Sequence, residues 1–511
     1  MDVTQHKCSS DKSWKLQIRR RLVALRFLGW IRRLSALGFL ATGMHLRADV
    51  VLDWTALALD CIRADNTSPT LSARDLAMLH TAIYDAVNSV ARTHQPYRFQ
   101  FDAPTNSSPD AAAVGAAYEI TTALYPSFSA WADDLYGVWL AGVPHNDALA
   151  NGLDLGGLIG LHVLDSRRVD GASTEVPYIP SSAPGEWQRT PPFFRPPLTP
   201  HWRYVDTFCL PDLEPFVPGP PPALDSPEYA AALDEVKAIG GKSSTVRTPE
   251  QSQIAVFWSD FSYTAMPPGH WHEIATTIAQ ARSNTLAENA RMFALLSLAQ
   301  ADSAIVCWET KYRYNLWRPV TAIRRADEDR NSATEMDAAW DHFLASPPFP
   351  SYTSGHSTFS KASAQVLAHF YGTDDVNFTA TSDSLPGVVR SFRSLTACAD
   401  EVGRSRIYGG IHFQFDNRAG KESGQRIADY VTANYLLPND RLPQVRLEGF
   451  AHNRPQIRLH GHVGTTGVLE VSSDLTNWHA ISTNLVVSGG TFFEDADGPS
   501  AAMRFYRIRE R

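Results

Sequence analysis

Three short polar segments in the C-terminal half, each beside the end of a predicted helix, constrain the fold of this chain most. They are Lys311–Pro319 (KYRYNLWRP), Phe349–Ser357 (FPSYTSGHS) and Ser405–Asp416 (SRIYGGIHFQFD). The first begins where a helical pattern ends, the second leads into a helix, and the third lies at a helix C-terminus. Since helical proteins build sites from side chains on facing helices, the pattern predicts a helix bundle with a site between its helices.

Apolar residues recur at helical steps of three and four over most of the chain. The first such pattern follows Ser72, the predicted N-cap, and runs to Val90. Further helical patterns cover residues 111–124, 146–166, 227–239, 249–259, 269–282, 286–308, 357–371, 388–403 and 418–436. Residues 171–222 are dense in proline and aromatic residues, which is typical of a lid, an access loop or an arm packed over a helical body.

After residue 448 the apolar period changes to two, which indicates strands. The alternating segments are 456–460, 467–472, 479–483, 491–495 and 504–509. Pro438 and Pro443 lie in the linker before them, as is typical of a domain boundary. The predicted fold is therefore mainly α: a large helical catalytic domain at 49–440, followed by a small all-β, sandwich-like module at 448–511.

Residues 1–48 have the order of a secretory signal: a basic stretch at 15–33, an apolar run at 34–44 and the small residue Ala48. This order predicts export to the periplasm or secretion; an amphipathic N-terminal helix is the alternative. No later apolar run reaches the roughly 18 residues that span a bilayer, so no membrane span is predicted. The net charge of −8 argues against nucleic acid as a partner.

Pooled, the three polar segments provide donors for a highly charged tetrahedral oxyanion. Arg318 and Arg406 can each present a planar fork of donors to anionic oxygens, and Lys311 adds a point charge. Ser354 and the Gly355 N–H add neutral donors, and the missing Cβ at Gly355 lets the backbone approach a bound group closely.

Two histidines accompany these donors, His356 and His412. One can bond to or attack the central atom, and the other can move protons near neutral pH. Singly, each of these residues has a structural explanation. Lys311 and Arg318 would be a solvated pair on one helix face, and Arg406 could pair with a nearby carboxylate such as Asp400 or Glu401. Their joint occurrence favours the oxyanion site.

The spacing K-x6-R-P, then S-G-H, then S-R-x5-H resembles the three-part signature shared by vanadium-dependent haloperoxidases and type 2 phosphatidic-acid phosphatases. All three parts are present in order, with no substitution at the anion-binding positions. The similarity extends from Leu286 to Arg324 and over residues 347–360. There it is closer to the haloperoxidases than to the small membrane phosphatases.

The resemblance implies a helical bundle of the vanadium haloperoxidase type with vanadate as the cofactor. His412 would be the vanadium ligand, and His356 and Lys311 would join it as catalytic residues. The vanadate oxygens would be bound by Lys311, Arg318, Ser354, Gly355 and Arg406. The implied substrates are hydrogen peroxide, a halide and a small organic acceptor. The sequence does not indicate the oligomeric state, although large helical bundles often form homodimers.

Two further predictions come from the resemblance. Trp308 and Phe349 match aromatic positions that border the halide region in fungal chloroperoxidases, although core packing also explains such residues. Asp260, in a Pro-rich turn, matches an acidic residue that supports the arginine of the third segment, here Arg406. His270 follows that turn and is predicted to be a surface or supporting residue.

Two alternatives remain open on the sequence. The first is an acid phosphatase on the same scaffold, in which His412 forms a phosphohistidine and His356 protonates the leaving group. The second is a helical domain that has lost its activity, with the β module binding a partner. The intact set of charged groups argues against the second, because burying such groups costs stability unless an anion occupies the site.

Overall fold

The structure is a computed structural model that describes residues 49–439, 444–451, 454–460, 465–487, 491–495 and 503–510. The predicted signal segment lies outside the described residues, so export remains a prediction. The described α-helices, in chain order, are α1 Val50–Asp65, α2 Pro69–Ala91, α3 Pro109–Leu124, α4 Ser129–Ala141, α5 Asp147–Ser166, α6 Pro227–Gly240, α7 Pro249–Phe257, α8 Met266–Arg282, α9 Leu286–Tyr314, α10 Pro319–Arg324, α11 Gly355–Tyr371, α12 Leu395–Tyr408 and α13 Gln414–Asn434.

Several predicted helix starts are wrong. Helix α2 begins four residues earlier than expected, because the Ser68 hydroxyl caps it by accepting from the Leu71 N–H and Pro69 fills the first position. Ser72 lies inside the first turn. Helix α12 begins later than expected, at Leu395, because residues 390–392 pair as a strand instead of continuing a helix.

Helix α9 is the central helix of the domain. It contacts α2, α11 and α13, and α11 also contacts α12 and α13. The close approach of α11 and α13 depends on Gly424, where a Cβ would lie 2.3 Å from the Thr358 carbonyl oxygen. By length and composition α9 could cross a membrane, but 94% of its apolar window is buried inside the protein. The mainly helical architecture is therefore as predicted.

The Pro-rich stretch at 171–222 is an arm over the bundle, and its one described regular element is a 3₁₀ helix at Pro200–Tyr204. Buried Asp302 of α9 anchors this arm by accepting hydrogen bonds from the N–H groups of Phe208, Cys209 and Leu210 at 2.7, 2.8 and 3.0 Å. The anchor fixes the arm beside the helices that carry the polar segments.

Eight strands are described: β1 Phe378–Ala380, β2 Arg390–Phe392, β3 Gln444–Ala451, β4 Arg454–His460, β5 Thr466–Ser472, β6 His479–Leu485, β7 Thr491–Glu494 and β8 Phe505–Glu510. β1 and β2 form a small antiparallel pair between α11 and α12. The last six strands form two antiparallel sheets, in the orders β3-β4-β7 and β6-β5-β8. Ile457, Leu459 and Leu469 form the buried core of these two sheets. Strand structure begins a few residues before the predicted position 448.

We expect a chain ending at Asn439 to keep vanadate binding and halide oxidation. Residues 437–439 still bond the body of the protein there, through Gln95 N–H to Leu437 O and Asn439 N–H to Thr93 O. Domains joined by an exposed linker can usually be separated without loss of either core. The check is vanadate content and activity of the purified truncated protein. Complete loss of soluble, vanadate-binding protein would show that the β module is an integral part of the catalytic fold.

Candidate active site

Lys311 lies in the last turn of α9 and is fully buried. Its ammonium donates to the carbonyl oxygens of Pro350 and Ser351, each at 3.0 Å, and to that of Thr353. Burial lowers the pKa of Lys311. These bonds hold the strand-like stretch that leads into α11, so Lys311 fixes the second polar segment and places its charge behind it.

Arg318 belongs to a different helix from Lys311. α9 ends at Tyr314, Asn315 takes the left-handed conformation at φ 50°, and Arg318 is the N-cap of α10. Arg318 is fully buried, like Lys311. The interpretation of the two as a solvated pair on one helix face is therefore wrong.

The Arg318 guanidinium faces the third polar segment. Its Nε donates to the Phe349 carbonyl and its Nη1 to the Ile411 carbonyl, both at 2.8 Å, and Nη1 also lies 3.0 Å from His412 Nε2. Its Nη2 is buried without a partner among the described residues. Burial lowers the pKa of Arg318 to about 9.

Arg406, in the last turn of α12, is also fully buried. Its Nη1 donates to the Trp258 carbonyl at 2.6 Å, whereas Nε and Nη2 have no partner in the described part of the chain. Burial lowers its pKa to about 10, and the charge of Asp260 opposes that shift. Asp400 and Glu401 bind Lys421 and Arg390 instead. Arg406 is thus not consumed by a structural ion pair with either of them.

His412 lies in the turn between α12 and α13. Its Nδ1 is 2.7 Å from Asp416 Oδ2, and the same oxygen accepts from Ser351 Oγ at 2.5 Å and from the Phe413 N–H at 3.2 Å. A carboxylate at Nδ1 holds the ring proton there, so Nε2 carries the lone pair. That lone pair accepts from Arg318 Nη1 at 3.0 Å, and it could attack an electrophile or bind a metal in exchange for this hydrogen bond.

Asp416 was given no role by the sequence analysis. The signal for it was the spacing of four between His412 and Asp416 at the start of α13, which places a carboxylate one turn beyond the histidine. Burial raises the pKa of Asp416, and burial together with the neighbouring cations lowers that of His412 well below its usual range. The neutral imidazole is the form that can bind a metal.

Ser354, Gly355 and His356 form the start of α11. Ser354 is the N-cap and accepts from the Ser357 N–H at 3.3 Å. A Cβ built on Gly355 would meet protein atoms only at 3.9 Å or beyond, so the protein's own packing leaves room there. His356 hydrogen-bonds the backbone of Ser259, and its Nε2 has no partner among the described residues. Burial and then the charge of Arg406 lower the pKa of His356.

Part of this set of groups lines a cavity of about 290 Å³, whereas Lys311, Arg318 and Ser354 are not among its lining residues. Gly355, His356, Arg406 and His412 line its polar end. The apolar wall of the cavity includes Trp308, Phe349, Phe359, Met266 and Leu198, and Trp308 and Phe359 lie beside Gly355. The predicted halide residues Trp308 and Phe349 thus lie on this wall, with ring centroids 5.0 Å apart. The arm reaches the mouth of the cavity through residues 195, 196 and 198.

Asp260 also lines the cavity, and its placement differs from a simple support of Arg406. Its Oδ1 is 3.0 Å from His270 Nδ1, and its Oδ2 is 3.7 Å from His356 Nε2. It acts on Arg406 through its charge. His270 is buried behind Asp260, away from the surface.

The site has one property that a purely structural cluster would not share. Four buried nitrogens around His412 lack a partner within the described ranges: Arg318 Nη2, Arg406 Nε, Arg406 Nη2 and His356 Nε2. Leaving charged donors buried and unpaired costs free energy, typically about 1–3 kcal/mol per group or more. Together with the open space at Gly355, they fit an anion with several oxygens.

Comparison with known proteins agrees with this geometry. Residues 291–437 match a family model described as the second helical-bundle domain of VCPO. Vanadium chloroperoxidase of Curvularia inaequalis is 26% identical over an alignment of 267 residues, which covers 40% of this chain and 43% of that protein. A bacterial vanadium-dependent iodoperoxidase of known structure is 28% identical, with a TM-score of 0.68 over 76% of this chain and 97% of the other. In sequence and in fold, this chain is therefore similar to vanadium-dependent haloperoxidases.

The fold is shared more widely within this family than the sequence. A bacterial vanadium-dependent chloroperoxidase in its holo form superposes with a TM-score of 0.59 at 17% identity, over 72% of this chain and 92% of the other. The match to the curated Curvularia relative spans less than half of that protein. The β module follows the matched helical-bundle region, which ends at residue 437.

Proposed function

We propose that this protein is a vanadate-dependent haloperoxidase that oxidises a halide with hydrogen peroxide to hypohalous acid or an equivalent halogenating agent. The observation that carries the proposal is the set of unpaired buried nitrogens of Arg318, Arg406 and His356 around His412. The charged N–H groups of Arg318 and Arg406 suit an oxyanion, and the similarity to vanadium-dependent haloperoxidases supports vanadium as its central atom.

The residues present can hold vanadate. His412 Nε2 would bind the vanadium, because Asp416 keeps the proton on Nδ1. Arg318 Nη2 and Arg406 Nε and Nη2 would donate to the oxygens, with the Ser354 hydroxyl and the Gly355 N–H as neutral donors at the start of α11. Lys311, whose ammonium is bound to the backbone carbonyls of the second polar segment, would add positive charge near the site.

When bound, vanadate supplies a Lewis-acidic centre that activates peroxide without changing its own oxidation state. The net reaction consumes one hydrogen peroxide, one halide and one proton and releases hypohalous acid and water. His356 lines the cavity with an unpaired Nε2 and a lowered pKa. It is therefore a neutral base near pH 7, able to accept a proton from the incoming peroxide and return it to the oxygen that departs as water.

The apolar wall would act on the halide. Trp308 and Phe349 are buried, and the Phe349 ring centroid is 4.9 Å from both the Lys311 ammonium and the Arg318 guanidinium carbon. Such a wall excludes water, and a partly desolvated halide beside fixed cations reacts more readily. The cavity mouth, formed in part by the arm, would admit the small organic acceptor.

The acid phosphatase remains a second candidate because of the same lone pair. His412 Nε2 could attack phosphorus if it gave up its hydrogen bond with Arg318, while the Nδ1 proton stayed hydrogen-bonded to Asp416. In that reaction His356 would have to begin as the protonated acid, whereas burial and Arg406 lower its pKa. This observation favours the peroxidase.

The experiment compares two activities in apo-protein as orthovanadate is added. We expect halide-dependent peroxide consumption to appear with vanadate, while slow hydrolysis of an aryl phosphate is inhibited over the same concentration range, since both ligands use one site. Robust phosphate ester turnover, with no halide oxidation at any vanadate level, would replace the proposal with the phosphatase.

A further inference from the structure

His270 is a buried histidine beside the site. The hydrogen bonds of its two ring nitrogens determine its protonation state. It lies in the first turns of α8 and is 4% exposed. Its Nε2 is 2.7 Å from the Thr381 carbonyl oxygen, and its Nδ1 is 3.0 Å from Asp260 Oδ1. A carbonyl oxygen only accepts hydrogen bonds, and so does a carboxylate. Both ring nitrogens must therefore carry hydrogens, and the ring is an imidazolium.

Asp260 also acts through its charge on a second cation, Arg406, whose pKa it raises against the effect of burial. Burial by itself would lower the pKa of His270, but the charge and hydrogen bond of Asp260 raise it above its usual range. Glu273 also faces His270 and adds to this effect. Glu273 is itself bound by Arg63, which also binds Asp383.

The pairing changes the net charge of the anion site. The basic groups of the site are Lys311, Arg318 and Arg406, and its carboxyl groups are Asp416 and Asp260. Without a second partner, the Asp260 carboxylate would offset the charge of Arg406. With an ionised His270, the Asp260–His270 pair is neutral, and the charge of Arg406 remains for a bound oxyanion.

We propose that His270 is a positioning residue of the anion site, whose imidazolium neutralises Asp260 and so leaves Arg406 available to the bound oxyanion. The ring is held for this role by its 4.6 Å contact with the Trp258 ring, and the Trp258 carbonyl also accepts from Arg406 Nη1. Trp258 thus fixes both cations that flank Asp260. The inference deepens the proposed function and rests on it only for the assignment of Arg406 to an oxyanion site.

The test measures anion affinity in apo-protein, with inorganic phosphate and orthovanadate as separate probes in titration calorimetry. We expect His270→Gln to weaken binding of both anions by about 10- to 100-fold, as is typical when an outer partner of a site is removed. Asp260→Asn should bind at least as tightly as the parent. The double variant H270Q/D260N should recover to within about threefold of Asp260→Asn, because no carboxylate is left to neutralise.

The double variant distinguishes the effect of the His270 charge from an effect of His270 on the fold. If His270 only supported the fold, removing Asp260 as well would not restore binding, and an unchanged affinity in His270→Gln or an unrescued double variant would overturn the proposal. His272→Gln is the matched control: it lies two residues along the same helix, is buried and bonds Pro268 O and Ser297 Oγ. It should lower thermal stability without lowering anion affinity.

A spectroscopic measurement makes the result independent of stability and of catalysis. With ¹⁵N-labelled histidine, the parent should show one ring with both nitrogens protonated at pH 8, and that signal should vanish in His270→Gln and become neutral in Asp260→Asn. A neutral His270 in the parent protein would contradict the proposal. Phosphate binding does not require halide oxidation. These outcomes can therefore be interpreted even if the protein does not oxidise halides.

Discussion

His412→Ala is expected to abolish vanadate retention, whereas His356→Ala should retain vanadate and lose turnover. We expect this difference because the Nε2 atoms of the two histidines have different surroundings. His412 Nε2 lies 3.0 Å from Arg318 at the polar end of the cavity, with its ring fixed through Asp416. His356 Nε2 has no hydrogen-bond partner among the described groups, and in the proposed function it would transfer protons. General acid–base groups typically contribute about 10²- to 10⁴-fold to a rate, so His356→Ala should lose that much activity.

Vanadium content after gel filtration measures retention, and halide-dependent peroxide consumption measures turnover. His272→Ala serves as the control for loss of a buried histidine outside the cavity, since its ring nitrogens bond Pro268 and Ser297. Equal vanadate affinity in His412→Ala and the parent protein would remove His412 from its assigned role. Loss of vanadate from both variants alike would assign ligand binding to the pair instead of to one histidine.

The helical architecture followed from sequence because it depends on local patterns. Helical periodicity placed α9, α11 and α12 near the three polar segments, and the Ser354-Gly355 step read directly as a helix start with free N–H groups. Residues close in sequence to a helix end are brought into the site by the geometry of the helix itself. The spacing of the signature therefore carried most of the information about where the groups lie.

Other features depend on contacts between distant parts of the chain, which periodicity does not encode. Lys311 and Arg318 looked like neighbours on one helix face, but Asn315 ends α9 between them and tertiary packing buries both. Asp302 anchors the arm 92 to 94 residues away in sequence. The environment of His270 depends on the Thr381 carbonyl, 111 residues further along, so no local pattern could reveal its charge.

Asp416→Asn is expected to lower vanadate affinity by about 10- to 100-fold while leaving phosphate affinity unchanged or higher. Asp416 Oδ2 receives hydrogen bonds from His412 Nδ1, Ser351 Oγ and the Phe413 N–H. An asparagine can turn its amide toward Nδ1, which moves the ring proton to Nε2 and blocks the lone pair. The loss of one negative charge acts in the opposite direction, because it makes the site more positive.

The two anions respond differently to these two effects. Vanadate needs the Nε2 lone pair for a coordinate bond, so the blocked nitrogen outweighs the gain in charge. Inorganic phosphate is held by charge and hydrogen bonds from groups such as Arg318 and Arg406, so it benefits from the added positive charge. A collapsed site would weaken both anions together. Parallel titrations of the variant with phosphate and orthovanadate therefore decide whether Asp416 sets the tautomer of His412 or merely supports the fold.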